Sequence, residues 1–242
     1  MRDYQLEFDN RVAFIKRLLE ESGAKGIIFG NSGGKDSALV GILCKAACDN
    51  TVGVVMPCSI TSNYETDKID ADALAKQHNI ETRIVDLTPV RDAELKALEG
   101  VVEMTPTATM NIAPRLRMTT LYAIAGAERL LVAGTSNRSE IYVGYSTKWG
   151  DGAHDFNPIS DLTATEVFEF LRCLDAPKSI VDKVPSAGLF EGQTDEKEMG
   201  VTYAELDSYI NGGEIPADKK ERIDRLHRIS EHKRTGVVRY GE

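Results

Sequence analysis

Hydrophobic positions along the chain follow two periods. In the opening segment Val12, Ile15, Leu18 and Leu19 recur at helical spacing among charged residues, which predicts an amphipathic helix. The apolar run Gly26-Ile27-Ile28-Phe29 predicts a strand over about 26–30, and the stretch that starts at Ala38 predicts a helix to about 49. Strand-like runs recur at 51–56, ending at Pro57, then at 80–86 and at 129–134. Helical patterns lie between them, over 63–78 and about 107–128. The run Leu130-Leu131-Val132-Ala133 is wholly apolar, as in parallel sheets covered on both faces. Strands alternating with helices predict an α/β fold with a doubly wound parallel sheet flanked by helices. No repeat, low-complexity tract or linker divides the 242 residues, so one domain over 1–242 is expected.

Charge and composition narrow the class. The formal net charge of −9 argues against nonspecific nucleic-acid binding, so an anionic ligand has to be met by local groups or by a metal. A hydrophobic content of 42% with 28% charged residues suits a soluble globular chain. No apolar run approaches the roughly 20 residues that cross a bilayer, and the start, Met1 to Glu7, is charged early, unlike a signal peptide. A cytoplasmic protein with neither membrane nor nucleic-acid partners is the expectation. Cys44, Cys48, Cys58 and Cys173 have no zinc-like spacing and read as buried thiols.

The chemistry concentrates after the first strand, in Gly30-Asn31-Ser32-Gly33-Gly34-Lys35-Asp36-Ser37. A loop between a strand end and a helix N-terminus is an anion site, because free N–H groups and the helix dipole point at the ligand. Gly33 and Gly34 let the backbone approach oxyanions, and Ser32 and Ser37 add hydroxyl donors. A carboxylate beside phosphates repels them unless a cation intervenes, so Asp36 points to Mg²⁺. Neither a Walker A spacing nor a G-x-G-x-x-G fingerprint is present. Ser32-Gly33-Gly34-Lys35-Asp36-Ser37 instead resembles the pyrophosphate loop of the ATP pyrophosphatases, which cleave ATP to AMP and pyrophosphate while adenylating a substrate.

Further motifs follow in order. They are Asn111 to Met118, Gly134-Thr135-Ser136-Asn137-Arg138-Ser139-Glu140, Gly144 to Asp151, Pro185 to Glu196, and His232-Lys233-Arg234. Together they resemble the NAD synthetase family from about residue 10 to the C-terminus. The resemblance implies a Rossmann-like sheet of the adenine nucleotide alpha hydrolase type. It also implies amidation of deamido-NAD to NAD by ammonia, through an acyl-adenylate, with release of AMP and pyrophosphate. By the same resemblance Gly30, Asn31, Ser32, Gly33, Gly34, Lys35, Asp36, Ser37, Thr135 and Ser186 bind ATP, with Lys35 given no separate role. Asp36 and Glu140 hold Mg²⁺. Arg115, Lys148, Asp155, His232 and Lys233 hold deamido-NAD. Asp151, catalytic with Asp36, orients or deprotonates the nitrogen nucleophile, and a carboxylate suits that task because ammonium itself cannot attack.

Glutamine-using relatives carry a separate amidase domain with a nucleophilic cysteine, and nothing in 242 residues matches one. Ammonia, free or from a separate subunit, is therefore the expected nitrogen source. The resemblance also implies a homodimer, with the segment of about 107–128 as a contact. One departure stands out: Ala164 occupies a place where the family usually has a lysine facing ATP phosphate. Two alternatives stay open, an ATP pyrophosphatase that amidates another carboxylate and a nucleotide-binding protein without catalysis. Taken singly, the run at 232–234 also reads as a solvated helix end, Arg115 as a partner for a helix carboxylate, and Asp155 as a turn residue.

Overall fold

The computed structural model describes residues 2–58, 64–183 and 194–241. Its elements run α1 (Tyr4–Ser22), β1 (Gly26–Gly30), α2 (Lys35–Ala47), β2 (Thr51–Val55), α3 (Tyr64–His78), β3 (Glu81–Ile84), α4 (Thr88–Leu98), α5 (Pro106–Met110), α6 (Ile112–Glu128) and β4 (Leu130–Ala133). There follow α7 (Arg138–Val143), α8 (Ala164–Cys173), α9 (Lys178–Val181), α10 (Asp195–Met199), α11 (Tyr203–Ile210), α12 (Ala217–Ile229) and α13 (Glu231–Arg234).

The four strands form one parallel sheet in the order β3-β2-β1-β4. The chain moves outward from β1 through β2 to β3, then returns to the other side of β1 for β4. That reversal separates the loops leaving β1 and β4 and opens a crevice at the carboxyl ends of the strands, where doubly wound folds place their ligands. Side-chain alternation explains how the central strand serves both faces. Ile27 and Phe29 of β1 join a core with Ile15, Leu39, Leu43, Leu74 and Phe170, whereas Ile28 joins Val52, Val54, Met56, Leu130 and Val132. The Phe29 ring fills the space over Gly41 and Gly53; a Cβ on Gly41 would stand 2.7 Å from its Cζ. A third apolar cluster, with Val143, Ala164, Met199, Tyr203, Leu206 and Ile223, seats the C-terminal helices beside the crevice.

The elements expected from periodicity are present, with two differences. The helical stretch over 107–128 is two helices, α5 and α6, meeting at Asn111. Pro114 is the cause: it has no N–H for the Met110 carbonyl and its ring would collide with that carbonyl, whereas in the first turn of α6 neither matters. The third strand is only Glu81–Ile84, an edge strand with Glu81 and Ile84 exposed. Short, charged edges resist further pairing. Of the four cysteines, Cys44 and Cys58 are buried, but Cys48 is half-buried and Cys173 is exposed. Among the described residues no helix is long and apolar enough to cross a membrane.

An ion-pair cluster clamps α1 across the turn that precedes α8. Arg11 donates to both oxygens of Asp161 at 2.7 and 2.9 Å, to Glu7 at 2.8 Å and to the Pro158 carbonyl. Arg2 reaches Glu166 at 2.8 Å and Asp161 at 3.1 Å. Burial disfavours the Asp161 carboxylate, but the Arg11 hydrogen bonds and the two arginine charges outweigh it, so its pKa lies below the ordinary 3.8. A carboxyl depressed in the folded state stabilises the fold above its unfolded pKa and loses that contribution as pH falls through the folded value. We therefore expect Asp161→Asn to melt below the parent at pH 7, with the difference closing as the pH is taken well below 3.8. Melting curves across pH check this, and a constant difference would remove Asp161 from the clamp.

Candidate active site

The loop after β1 is shaped by its own hydrogen bonds. Asn31 is buried; its N–H donates to the Val54 carbonyl at 2.9 Å and its side-chain amide to the Ala71 carbonyl at 3.2 Å, which fixes the loop to β2 and α3. Ser32 Oγ and Ser37 Oγ lie 3.0 Å apart, closing the loop over Gly34. Gly33 adopts φ +72°, and a Cβ there would stand 2.2 Å from the Asp67 carbonyl oxygen, so both conformation and space demand glycine. Helix α2 starts at Lys35 with no side-chain cap on its first turn, which leaves that turn's N–H groups for an anion.

The loop after β4 meets it. Asn137 caps α7, its Oδ1 accepting from Glu140 N at 3.0 Å while Glu140 Oε2 accepts from Asn137 N at 3.2 Å. The other side of the same amide donates from Nδ2 to Asp36 Oδ1 at 3.1 Å. Lys35 Nζ lies 2.5 Å from Asp36 Oδ2 and 3.9 Å from Glu140 Oε1, with the Tyr203 and Phe168 rings on its flanks. The two acids thus face one cation, and the lysine without a separate role in the sequence is the side chain that joins them. Burial pushes the Glu140 carboxyl well above its usual range, and the neighbouring Asp36 charge adds to the shift. Burial opposes the Lys35 charge, but Asp36 and Glu140 more than restore it. Among the described residues no cluster of three or more His, Cys, Asp or Glu side chains has the arrangement of a metal cage. Mg²⁺ needs no such cage when phosphate oxygens and waters complete its shell, and two carboxylates able to share one cation fit it.

A cavity of about 580 Å³ opens between these loops, within the size range of small-molecule sites. Ser32, Asp36, Thr135, Glu140, Asp151, Arg117 and Lys233 are on its wall. Asp151 accepts from Thr147 N at 2.9 Å, and the protein around it raises its carboxyl above the ordinary value despite the Lys233 and Arg117 charges. Lys233 Nζ is held by the Gly144 and Ser146 carbonyls, and burial lowers its pKa. Lys148 Nζ donates to the His232 carbonyl at 2.5 Å, and Arg115 approaches the Lys148 carbonyl at 3.5 Å. Arg115, Lys148 and His232 therefore form a strip beside the cavity, with His232 and Lys233 also lining a smaller hollow of about 270 Å³. Asp155 accepts from Val132 N at 2.8 Å and Tyr122 Oη at 3.0 Å. Ser186 lies outside the described residues. Ala164 is the fully buried first residue of α8, and its N–H donates to Ser139 Oγ at 3.0 Å.

Three residues were not singled out by sequence. Lys183 bridges Asp67 and Asp70, both at 2.7 Å, and touches the Gly33 carbonyl. Tyr203 donates to Asp195 at 2.9 Å beside Glu140. Arg117 lines the cavity, whereas Arg115 is exposed. Positions two apart on a helix point about 200° away from each other, so a cavity wall takes only one of such a pair.

Comparison with known proteins places the chain. The family model for NAD synthase matches residues 7–236. The NH(3)-dependent NAD(+) synthetase of Carboxydothermus hydrogenoformans is 43% identical, covering 96% of each chain. Among solved structures, an NMN synthetase from Francisella tularensis superposes with a TM-score of 0.95 at 36% identity over 100% of both chains. An NH3-dependent NAD synthetase from Campylobacter jejuni gives 0.82 at 28% identity over 98% of this chain and 99% of its own. With the phosphate-type loop and the acid pair in one crevice of a parallel sheet, and with this match over nearly its whole length, the chain belongs to the NAD synthase family.

Proposed function

We propose that this chain makes NAD from deamido-NAD, ATP and ammonia, releasing AMP and pyrophosphate through an acyl-adenylate. The observation that carries this reading is the meeting of Asp36, on the uncapped start of α2, with Glu140, across one cavity that also holds Asp151. Residues 30–37 hold the ATP phosphates, and Thr135 and Ser186 contact ATP. Asp36 and Glu140 would hold Mg²⁺, which supplies neutralisation of phosphoryl charge during transfer. The nicotinate carboxylate oxygen bonds to the α-phosphorus as pyrophosphate leaves. Ammonia then bonds to the acyl carbon, AMP leaves, and Asp151 takes the proton that the nitrogen sheds. Lys233, the strip of Arg115, Lys148 and His232, and Asp155 hold the dinucleotide, Asp155 being positioned by Val132 N of β4 and by Tyr122. We assign the chain to a cytoplasmic homodimer with one catalytic domain per protomer.

The match to an NMN synthetase supports a second reading, in which the acceptor is nicotinate mononucleotide rather than deamido-NAD. Both readings use the same loop, acids and nitrogen step; they differ in whether an adenylyl half is attached to the acid. Purified protein is to be given ATP, Mg²⁺ and ammonium with either acid. We expect one AMP and one pyrophosphate per amide formed, with higher kcat/KM on deamido-NAD. A higher value on the mononucleotide selects the second reading, and ADP as the nucleotide product overturns both.

Three substitutions test the roles. Asp36→Ala or Glu140→Ala should lower turnover at limiting Mg²⁺ by on the order of a hundredfold, since metal stabilisation of phosphoryl charge is worth several kcal/mol. Near-parental turnover would place the metal elsewhere. Asp151→Asn keeps an acceptor oxygen but takes no proton, so amidation should fall by roughly 10²–10⁴. Exchange of labelled pyrophosphate into ATP should survive in the same variant. Equal loss of both would make Asp151 a binding residue.

A further inference from the structure

The cations of the cavity wall differ in how they are satisfied. Lys35 is held by Asp36 and Glu140, Lys183 by Asp67 and Asp70, and Lys233 by two carbonyls. Arg117 donates from Nε to the Met56 carbonyl at 3.1 Å and, among the described residues, makes no ion pair. Among the described residues its terminal nitrogens have no hydrogen-bond acceptor, and Arg117 lines the cavity. Burial penalises this charge and lowers its pKa, with Cys58, Asp151 and Asp67 giving only partial electrostatic support. A guanidinium in such a place destabilises the empty protein unless an anion arrives to pair with it.

We propose that Arg117 binds an oxyanion of the reactants at the reacting end of the cavity. The inference rests on the amidation reading above and adds a residue to it. Position favours the reacting end: Met56 follows β2, next to the strand that feeds the phosphate loop, while Asp151 is within electrostatic reach. Adenylation drives a carboxylate against a phosphate, and a fixed planar fork of donors offsets that repulsion as the new bond forms. The oxyanion has two sources with the same chemistry, the nicotinate carboxylate and an ATP phosphate.

The test uses Arg117→Met, which keeps the stem and removes the charge, and Arg117→Lys, which keeps the charge and loses the fork. Binding of ATP, deamido-NAD and NAD is measured separately by titration, with pyrophosphate exchange and the melting temperature of the ligand-free protein. We expect exchange to fall at least a hundredfold in Arg117→Met, while the empty protein melts at the parental temperature or above it. A purely structural arginine would give the opposite sign in melting. If the carboxylate is the partner, the parent binds deamido-NAD more tightly than NAD, and Arg117→Met erases that difference by weakening deamido-NAD about tenfold. If a phosphate is the partner, ATP weakens about tenfold instead. Either result supports the inference. Should Arg117→Met fail to fold, Arg117→Lys decides: a tenfold loss in exchange supports the role, and parental exchange overturns it. Exchange and both affinities within twofold of the parent in a folded Arg117→Met also overturn it. Parental amidation alongside that result would leave the proposed function standing, whereas lost ATP affinity in a protein that forms no amide would sink the function and keep Arg117.

Discussion

One side-chain amide holds the site together. Asn137 is fully buried, and its oxygen caps α7 while its nitrogen fixes Asp36. The first bond sets where Glu140 stands, and the second sets the rotamer of the acid on the opposite loop. A sheet that reverses its strand order provides the crevice, but the reversal alone leaves the two loops independent. The Asn137 amide links them, because its oxygen accepts at the helix start while its nitrogen donates to the carboxylate of the other loop.

Local charge then decides what the crevice can admit. The chain carries nine more negative than positive charges, yet its two nucleotide ligands in the proposed reaction are anions. The cavity meets this with uncapped backbone donors at α2 and with cations placed singly on its wall. Lys35 is the most buried of these, and it offsets part of the repulsion between Asp36 and Glu140. Ala164 leaves no room for another cation from the side of α8, since it is packed among Val143, Tyr203 and Leu206. Lys35 enters the acid pair from the start of α2, along the phosphate loop itself, with Phe168 of α8 on its flank.

The legible parts of this protein were those written contiguously. Residues 26–37 carry strand, turn and helix start in one unbroken segment, so their chemistry and their geometry could be read together. The apolar runs around Ile28, Val54 and Val132 are buried by layers on both sides and announced the parallel sheet for the same reason. What stayed hidden depended on partners distant in sequence. Lys35 acquires meaning only when the loop after β4 brings Glu140 beside it, and no local pattern encodes that meeting. Arg115 and Arg117 were indistinguishable in composition, and the phase of α6 separates them. That phase is set by Pro114, whose effect on periodicity is to restart a helix where the apolar pattern alone continues it. The ligand-binding roles of individual residues were legible only through motif order.

The Lys183 ammonium reaches Asp67 and Asp70 of α3 and the carbonyl of Gly33 in the phosphate loop. Gly33 in turn lies so close to the Asp67 carbonyl that no side chain fits between them. Loop and helix are therefore stiffened as one body before any nucleotide arrives. Most glycine-rich loops surrender conformational entropy when they close on phosphate. Here the contacts of Lys183 and Gly33 hold part of the loop against α3 in the folded chain, so less loop entropy is left to lose on nucleotide capture.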